Sequence, residues 1–212
     1  PRLLWHALAS TAGQTPERVD EGLFVLLRPD PSYYHWLVEY LPKLRLLERY
    51  QHETGHRPPI LVQQDPPEYV LESLALAGYG DRHVEWDRVP RRVRRLVVPS
   101  HRPRQFIDRD PTQSRYQPSR QSIEWLRTRF RSAVSTADPE RGRRIYVSRQ
   151  QTDHSRQVEN HETILGVFRE FGFEPYVLET RPLAEQVKLF MEADIIAGPH
   201  GAGLANMLFA DD

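Results

Sequence analysis

The chain has 212 residues, 39% of them hydrophobic and 10% aromatic, and its 29 basic and 29 acidic side chains cancel to a formal net charge of zero. That content supports one substantial core or two small ones, and it excludes a disordered tail and a global field able to recruit nucleic acid or an anionic membrane. With no cysteine, a disulfide framework, a thiolate nucleophile and a cysteine-ligated metal site are excluded as well.

In chain order, Leu23-Phe24-Val25-Leu26-Leu27 reads as a buried strand. Tyr33 to about Tyr50 then reads as a long helix with Tyr33, Leu37, Tyr40, Leu41, Leu44 and Leu47 on one stripe and a bend at Pro42. Strands are predicted at Ile60-Leu61-Val62, His83 to Trp86 and Arg95 to Val98, with a helix from Glu68 to Ala77 that Gly78 stops. Residues from about Ser100 to Ser119 carry prolines and arginines without periodicity and read as a link between two halves.

The second half opens with a helix over Ser119 to Val134 and continues as strand (Arg144 to Ser148), helix (Glu162 to Phe171), strand (Pro175 to Leu178), helix (Leu183 to Met191) and strand (Ala193 to Gly198). Strands alternating with helices at this spacing imply α/β architecture with parallel sheets, and two such halves imply a cleft at the carboxyl ends of the strands. No apolar run approaches the roughly 18 residues of a membrane span. The start Pro1-Arg2-Leu3-Leu4-Trp5 lacks a signal-peptide layout, and a chain without an initial methionine that stops soon after a helix suggests a trimmed domain.

The most informative stretch is Pro199-His200-Gly201-Ala202-Gly203-Leu204-Ala205-Asn206, a glycine turn between a strand and a helix. Glycines there let a ligand approach the main chain, and the first N–H groups of the helix favour an anion such as a diphosphate. The plainer reading is a tight connection in an α/β sheet. A nicotinamide fingerprint is excluded, because it needs Gly-x-Gly-x-x-Gly and an acid about 20 residues further on.

Three strand ends carry polar groups: Ser148-Arg149, Glu179-Thr180-Arg181 and Pro199-His200-Gly201. Arg149 and Arg156 suit a diphosphate through bidentate geometry, and Asn160 or Glu162 suits hydrogen bonds to the ribose or the base. Taken singly, Asn160 reads as an N-cap and Glu162 as a first-turn carboxylate.

His35 and Glu39 stand four apart and share a helix face opposite Leu37, Leu41 and Leu44, so they face either water or the cleft, there as a general base with a partner that orients it. The nine histidines show no His-x-x-x-His pair with a third ligand, and no metal is expected. The run Arg91, Arg92, Arg94, Arg95 reads first as an edge strand with a solvated face, ahead of docking to anionic lipid, and lipid ahead of nucleic acid because no set of stacking aromatics accompanies it.

The segments Tyr33 to Leu44, Ile145 to Arg149, Arg156 to Asn160 and Ala193 to Asn206 together resemble family 61 glycosyltransferases in order and spacing, over about Gly22 to Phe209. The resemblance implies a GT-B-like fold, two Rossmann-like lobes facing across a cleft, with an acceptor-side lobe over residues 1–118 and a nucleotide-sugar lobe over 119–212. It implies an inverting transfer of a sugar from a nucleotide diphosphate, a UDP-sugar foremost, to a glycan, glycolipid or glycoprotein hydroxyl, with no cofactor or required metal.

By the same resemblance His200, Gly201, Ala202, Gly203 and Asn206 with Arg149, Arg156 and Asn160 bind the donor, and Glu39 with His35 forms the base pair; Glu162 joins the expected donor set from its place beside Asn160. Glu39 stands where aspartate is frequent in the family. The expected setting is cytoplasmic, with peripheral membrane contact through Arg91, Arg92, Arg94 and Arg95 and no nucleic-acid partner. The alternatives are a nucleotide-sugar epimerase of similar fold and a non-catalytic nucleotide-sugar-binding module.

Overall fold

The computed structural model describes residues 17–27, 32–100, 119–134, 142–149 and 158–211. Within them all strand pairings are parallel, as strands joined through helices require. The first sheet holds β1 (Glu17–Val25), β2 (Ile60–Gln63), β3 (His83–Trp86) and β4 (Arg91–Val97) in the order β3-β2-β1-β4. The second holds β5 (Arg143–Ser148), β6 (Phe173–Val177) and β7 (Ala193–Ala197) in the order β6-β5-β7. In both, the chain builds outward on one side of its first strand and then crosses to the other. The resulting switch points are β1/β4 and β5/β7, and ligands of such sheets sit at switch points beyond the carboxyl ends of the strands.

β1 begins six residues before the expected Leu23 and ends at Val25, short of Leu26 and Leu27. Pairing with Arg91 to Val93 carries its polar start, and the register shifts between Val19 and Gly22. β4 also starts earlier than expected, at Arg91, and lies at the edge of its sheet as its charge pattern predicts.

The expected long helix after residue 32 is four pieces: α1 (Tyr33–His35), a π turn (Trp36–Tyr40), a 3₁₀ turn (Leu41–Lys43) and α2 (Leu44–Thr54). Pro42 has no N–H to donate and its ring would press on the carbonyl four residues back. The chain adapts with a wide turn and then a tight one: the Leu41 N–H bonds to the Trp36 carbonyl, five residues back. The apolar stripe survives, with Leu37, Leu41, Leu44 and Leu47 fully buried. Each such side chain contributes about 1.5–3 kcal/mol relative to leaving it exposed. α2 stops at Gly55 and α3 (Glu68–Leu76) runs into Gly78, both left-handed with φ of +71° and +84°, a conformation that costs glycine little.

α4 (Arg120–Val134), α5 (His161–Glu170) and α6 (Leu183–Glu192) follow close to their predicted bounds. One continuous core runs from Phe24, Leu37 and Ile60 through Phe130 to Val187, Phe190 and Phe209. α4 ties the two sheets together: Phe130 stacks on Phe209 at 5.2 Å and 9°, while Arg129 donates to the Ala77 carbonyl at 2.9 Å and to the Glu48 carboxylate. Glu72 of α3 accepts from the Leu183 N–H at 3.1 Å, capping α6 from the other half of the chain. The predicted link over residues 100–119 lies, apart from its two ends, outside the described residues.

Candidate active site

β7 ends at Ala197, and Gly198 to Gly201 turn the chain into a 3₁₀ helix over Ala202–Phe209, whose first bond runs from the Leu204 N–H to the Gly201 carbonyl at 3.2 Å. The predicted strand, turn and helix are present, with a 3₁₀ rather than an α helix. None of the glycines in the turn is left-handed, and Gly201 is extended at φ −178°. Space is what requires them. A Cβ on Gly198 would stand 2.8 Å from the Val147 carbonyl oxygen, one on Gly203 would stand 2.9 Å from Leu178 Cδ1, and one on Gly201 would overlap the Arg149 guanidinium. What approaches the main chain so closely is the protein itself, with β5 on one side and Arg149 on the other.

A cavity of about 480 Å³ opens at the carboxyl ends of β5, β6 and β7, lined by Val147 to Arg149, by Leu178 and Glu179, and by the turn from Pro199 through Leu204. Ser32, Tyr33 and Tyr69 of the first half form the opposite wall. All three polar strand ends singled out in the sequence therefore meet at one place, the β5/β7 switch point. Arg149 donates from Nη1 to the His200 carbonyl at 2.6 Å, so its guanidinium lies across the glycine turn with its flank exposed. Behind it Ser148 Oγ lies 3.4 Å from Nε2 of the buried His161. A second recess of about 270 Å³ shares Tyr33, Tyr69, Leu178, Glu179, Ala202 and Gly203 with the first and adds Glu68, Glu72, Arg181 and Gln186.

Beneath the turn, Asn206 is fully buried and both ends of its amide are engaged. Its Oδ1 accepts from the Tyr33 hydroxyl, and its Nδ2 donates to Gln186 Oε1 at 2.9 Å. Gln186 in turn donates to the carbonyls of Leu178 (2.9 Å) and Arg181 (2.8 Å). Tyr69 meets the Tyr33 ring edge-on at 5.2 Å. Burial is the main cause that holds the Tyr33 hydroxyl well above its ordinary pKa, and the bond to Asn206 acts in the opposite direction. The chain of bonds joins α1 to the floor of the second sheet, so Asn206 fastens the cavity walls together.

His35 donates from Nδ1 to Glu39 Oε1 at 2.6 Å, with side-chain exposures of 43% and 11%. His35 is turned outward as its place on the helix predicts, whereas Glu39 is largely sunk into the protein. A shared face at four residues' spacing requires 3.6 residues per turn, and the π turn containing Glu39 is wider than that. The pair begins two residues after Tyr33 but does not line the cavity.

Asn160 stands at the N-cap position of α5 without a side-chain capping bond, Glu162 sits exposed in the first turn, and neither lines the cavity. His200 is exposed and contributes its carbonyl to Arg149, and Ala202 lines the cavity. Arg156 lies outside the described residues.

The wall residues Tyr33 and Tyr69 escaped the sequence reading, where Tyr33 counted as core. The available signal was its hydroxyl, since a tyrosine on a buried stripe needs a hydrogen-bond partner. Among the described residues no group of three or more histidine, aspartate or glutamate side chains could hold a metal ion, and no helix is long and apolar enough to cross a membrane.

Parallel sheets with a glycine turn and an arginine gathered at one switch point define a class, an α/β protein with a crevice at the carboxyl ends of its strands. A family model narrows it: the one described as Glycosyltransferase 61 matches residues 33–212, and the chain belongs to that glycosyltransferase family. The match begins at Tyr33, so it takes in α1, the glycine turn and all the residues around the cavity except Ser32. A search of curated proteins gave no match.

Proposed function

We propose that the protein is an inverting glycosyltransferase of GT-B-like, two-lobed architecture that moves a sugar from a nucleotide diphosphate, foremost a UDP-sugar, to a hydroxyl of a glycan or glycoconjugate. The observation that carries this reading is the cavity at the β5/β7 switch point, where Arg149 and the Gly201–Gly203 turn stand together in a member of a glycosyltransferase family.

Glu39 takes the proton from the acceptor hydroxyl, and His35, whose Nδ1–H bonds to its carboxylate, orients it. The acceptor oxygen forms a bond to the anomeric carbon as the bond to the diphosphate oxygen breaks on the opposite face, and this single displacement inverts the centre. The electron pair leaves on the nucleotide diphosphate. The Arg149 guanidinium and main-chain N–H groups near Gly201 to Gly203 stabilise that charge, and preorganised donors of this kind contribute about 2.7–4 kcal/mol each. A divalent cation is not required in this scheme. Since Glu39 lies off the cavity wall, the acceptor approaches from the α1 side.

The test is a thermal-shift screen against UDP, GDP, CDP and their sugars with and without EDTA, followed by analysis of the product anomer. Stabilisation by one donor in EDTA and a product of inverted configuration are expected. Glu39→Gln should lose transfer by at least about 100-fold while still being stabilised by donor. Undiminished turnover in that variant would remove Glu39 from the role of base, and a C-2 epimer in place of a transfer product would overturn the transferase reading.

A further inference from the structure

The basic run of β4 does not behave as one patch. Arg91 closes a bidentate pair with Asp87, with Nη1–Oδ1 and Nη2–Oδ2 both at 2.7 Å, and so satisfies its charge locally. Arg94 and Arg95 instead line a separate pocket of about 320 Å³ completed by Arg57, His56, Tyr50, Gly22 and the Pro58-Pro59 pair. It shares no residue with the cavity at the glycine turn.

The make-up of this pocket is one-sided. Among the described residues its lining holds three arginines and a histidine, and no aspartate or glutamate. Arg95 is oriented by a bond from Nη1 to the Tyr50 hydroxyl at 3.1 Å, and among the described residues neither Arg57 nor Arg94 has a hydrogen-bond or ion-pair partner. The backbone is irregular beside it: β1 shifts register between Val19 and Gly22, and Gly22, which lines the pocket, lies against Arg95 and Pro58.

Like charges collected in a concavity repel one another and raise the local concentration of anions. Guanidinium forks match phosphate oxygens in pairs, a geometry a scatter of surface lysines does not provide.

We infer that the pocket formed by Arg57, Arg94, Arg95 and His56 is a phosphate-binding site, separate from the glycine-turn cavity, that takes the phosphate or diphosphate group of an anionic ligand. The site stands whether or not the cavity transfers sugar. A free phosphorylated compound and a phospholipid headgroup offer the same group.

The test uses the full chain in phosphate-free buffer, with Arg149→Ala as background so that the glycine-turn cavity does not contribute. Inorganic pyrophosphate is titrated calorimetrically, and the protein is sedimented with vesicles of phosphatidylcholine alone or mixed with phosphatidylglycerol. Arg57→Ser/Arg94→Ser should weaken pyrophosphate binding roughly tenfold or more, and Arg57→Lys/Arg94→Lys, which keeps the charge without the fork, should fall between. Because Arg57 and Arg94 are exposed, both variants should keep the unfolding midpoint of the background chain.

Pyrophosphate binding that these variants diminish, without retention on vesicles, identifies a soluble phosphorylated ligand. Retention on phosphatidylglycerol vesicles that the same variants abolish identifies a headgroup. Absence of both, or pyrophosphate binding unchanged in the serine variant, overturns the site.

Discussion

Gly198 and Gly201 serve the site in different ways, although both are short of space. The atom a Gly198 side chain would meet is the main-chain oxygen of Val147 in the central strand of the second sheet, which cannot swing aside. Gly198→Ala should therefore destabilise the protein by about 1–3 kcal/mol, seen as a lower denaturant midpoint. At Gly201 the obstacle is the far end of a long side chain. Gly201→Ala should leave the midpoint close to that of the parent while it drives the Arg149 guanidinium off the turn and weakens affinity for a diphosphate, measured by calorimetry. The glycines were visible in the sequence as a turn that a ligand could approach. The occupant of that space was not, because Arg149 lies 52 residues before Gly201 and nothing local announces their meeting.

At the level of elements, apolar periodicity recovered most of the helices and strands, and the misjudged part was the rod after residue 32. Its buried positions Leu37, Leu41 and Leu44 satisfy a regular helix as well as a π turn followed by a 3₁₀ turn, so the pattern alone does not distinguish them. Pro42 was the clue to an irregularity, though not to its kind. The same rod carries Glu48, which accepts from Trp125 Nε1 at 3.0 Å and from Arg129, and which lies 3.5 Å from the Tyr79 hydroxyl. Burial first, and the Glu48 charge next, push that hydroxyl from 10.0 up to about 12.

The sign of the consequence follows from proton counting. Below about pH 10 Tyr79 is protonated in both states; above it the unfolded chain releases the proton first, so stability falls as pH rises toward 12 at about 1.4 kcal/mol per unit. Tyr33 shifts in the same direction and adds to the slope. Chemical denaturation at intervals above pH 9 should show the decline, and Tyr79→Phe should make it shallower. An equal slope in that variant would locate the alkaline sensitivity elsewhere.

For the molecule as a whole, the α/β class and parallel pairing are legible in the sequence, as are the polar groups at the three strand ends, though not their meeting at one cavity. The continuity of the core across both sheets is not legible either, since it depends on partners such as Tyr33 and Asn206 that lie 173 positions apart in the chain. Asn206→Ala would strip the Tyr33 hydroxyl and the Gln186 carbonyl oxygen of their shared partner, at about 1–3 kcal/mol for each buried group left unsatisfied. The expected result is a midpoint well below that of Asn160→Ala, whose exposed side chain makes no capping bond. Equal midpoints for the two variants would mean that the bridge holds nothing together.

The position of that bridge also bears on how the protein is made. Synthesis runs from the amino end, yet Phe209 supplies the ring that stacks on Phe130, and Arg131 reaches its carbonyl at 3.0 Å. Until the 202–209 helix leaves the ribosome, the apolar side of α4 and the Tyr33 hydroxyl wait without their partners. A growing chain held before Asn206 should thus display sticky surface and stay open to proteases, and contacts of such long sequence separation should make closure of this core slow. A factor that shields nascent chains would be needed most in that interval.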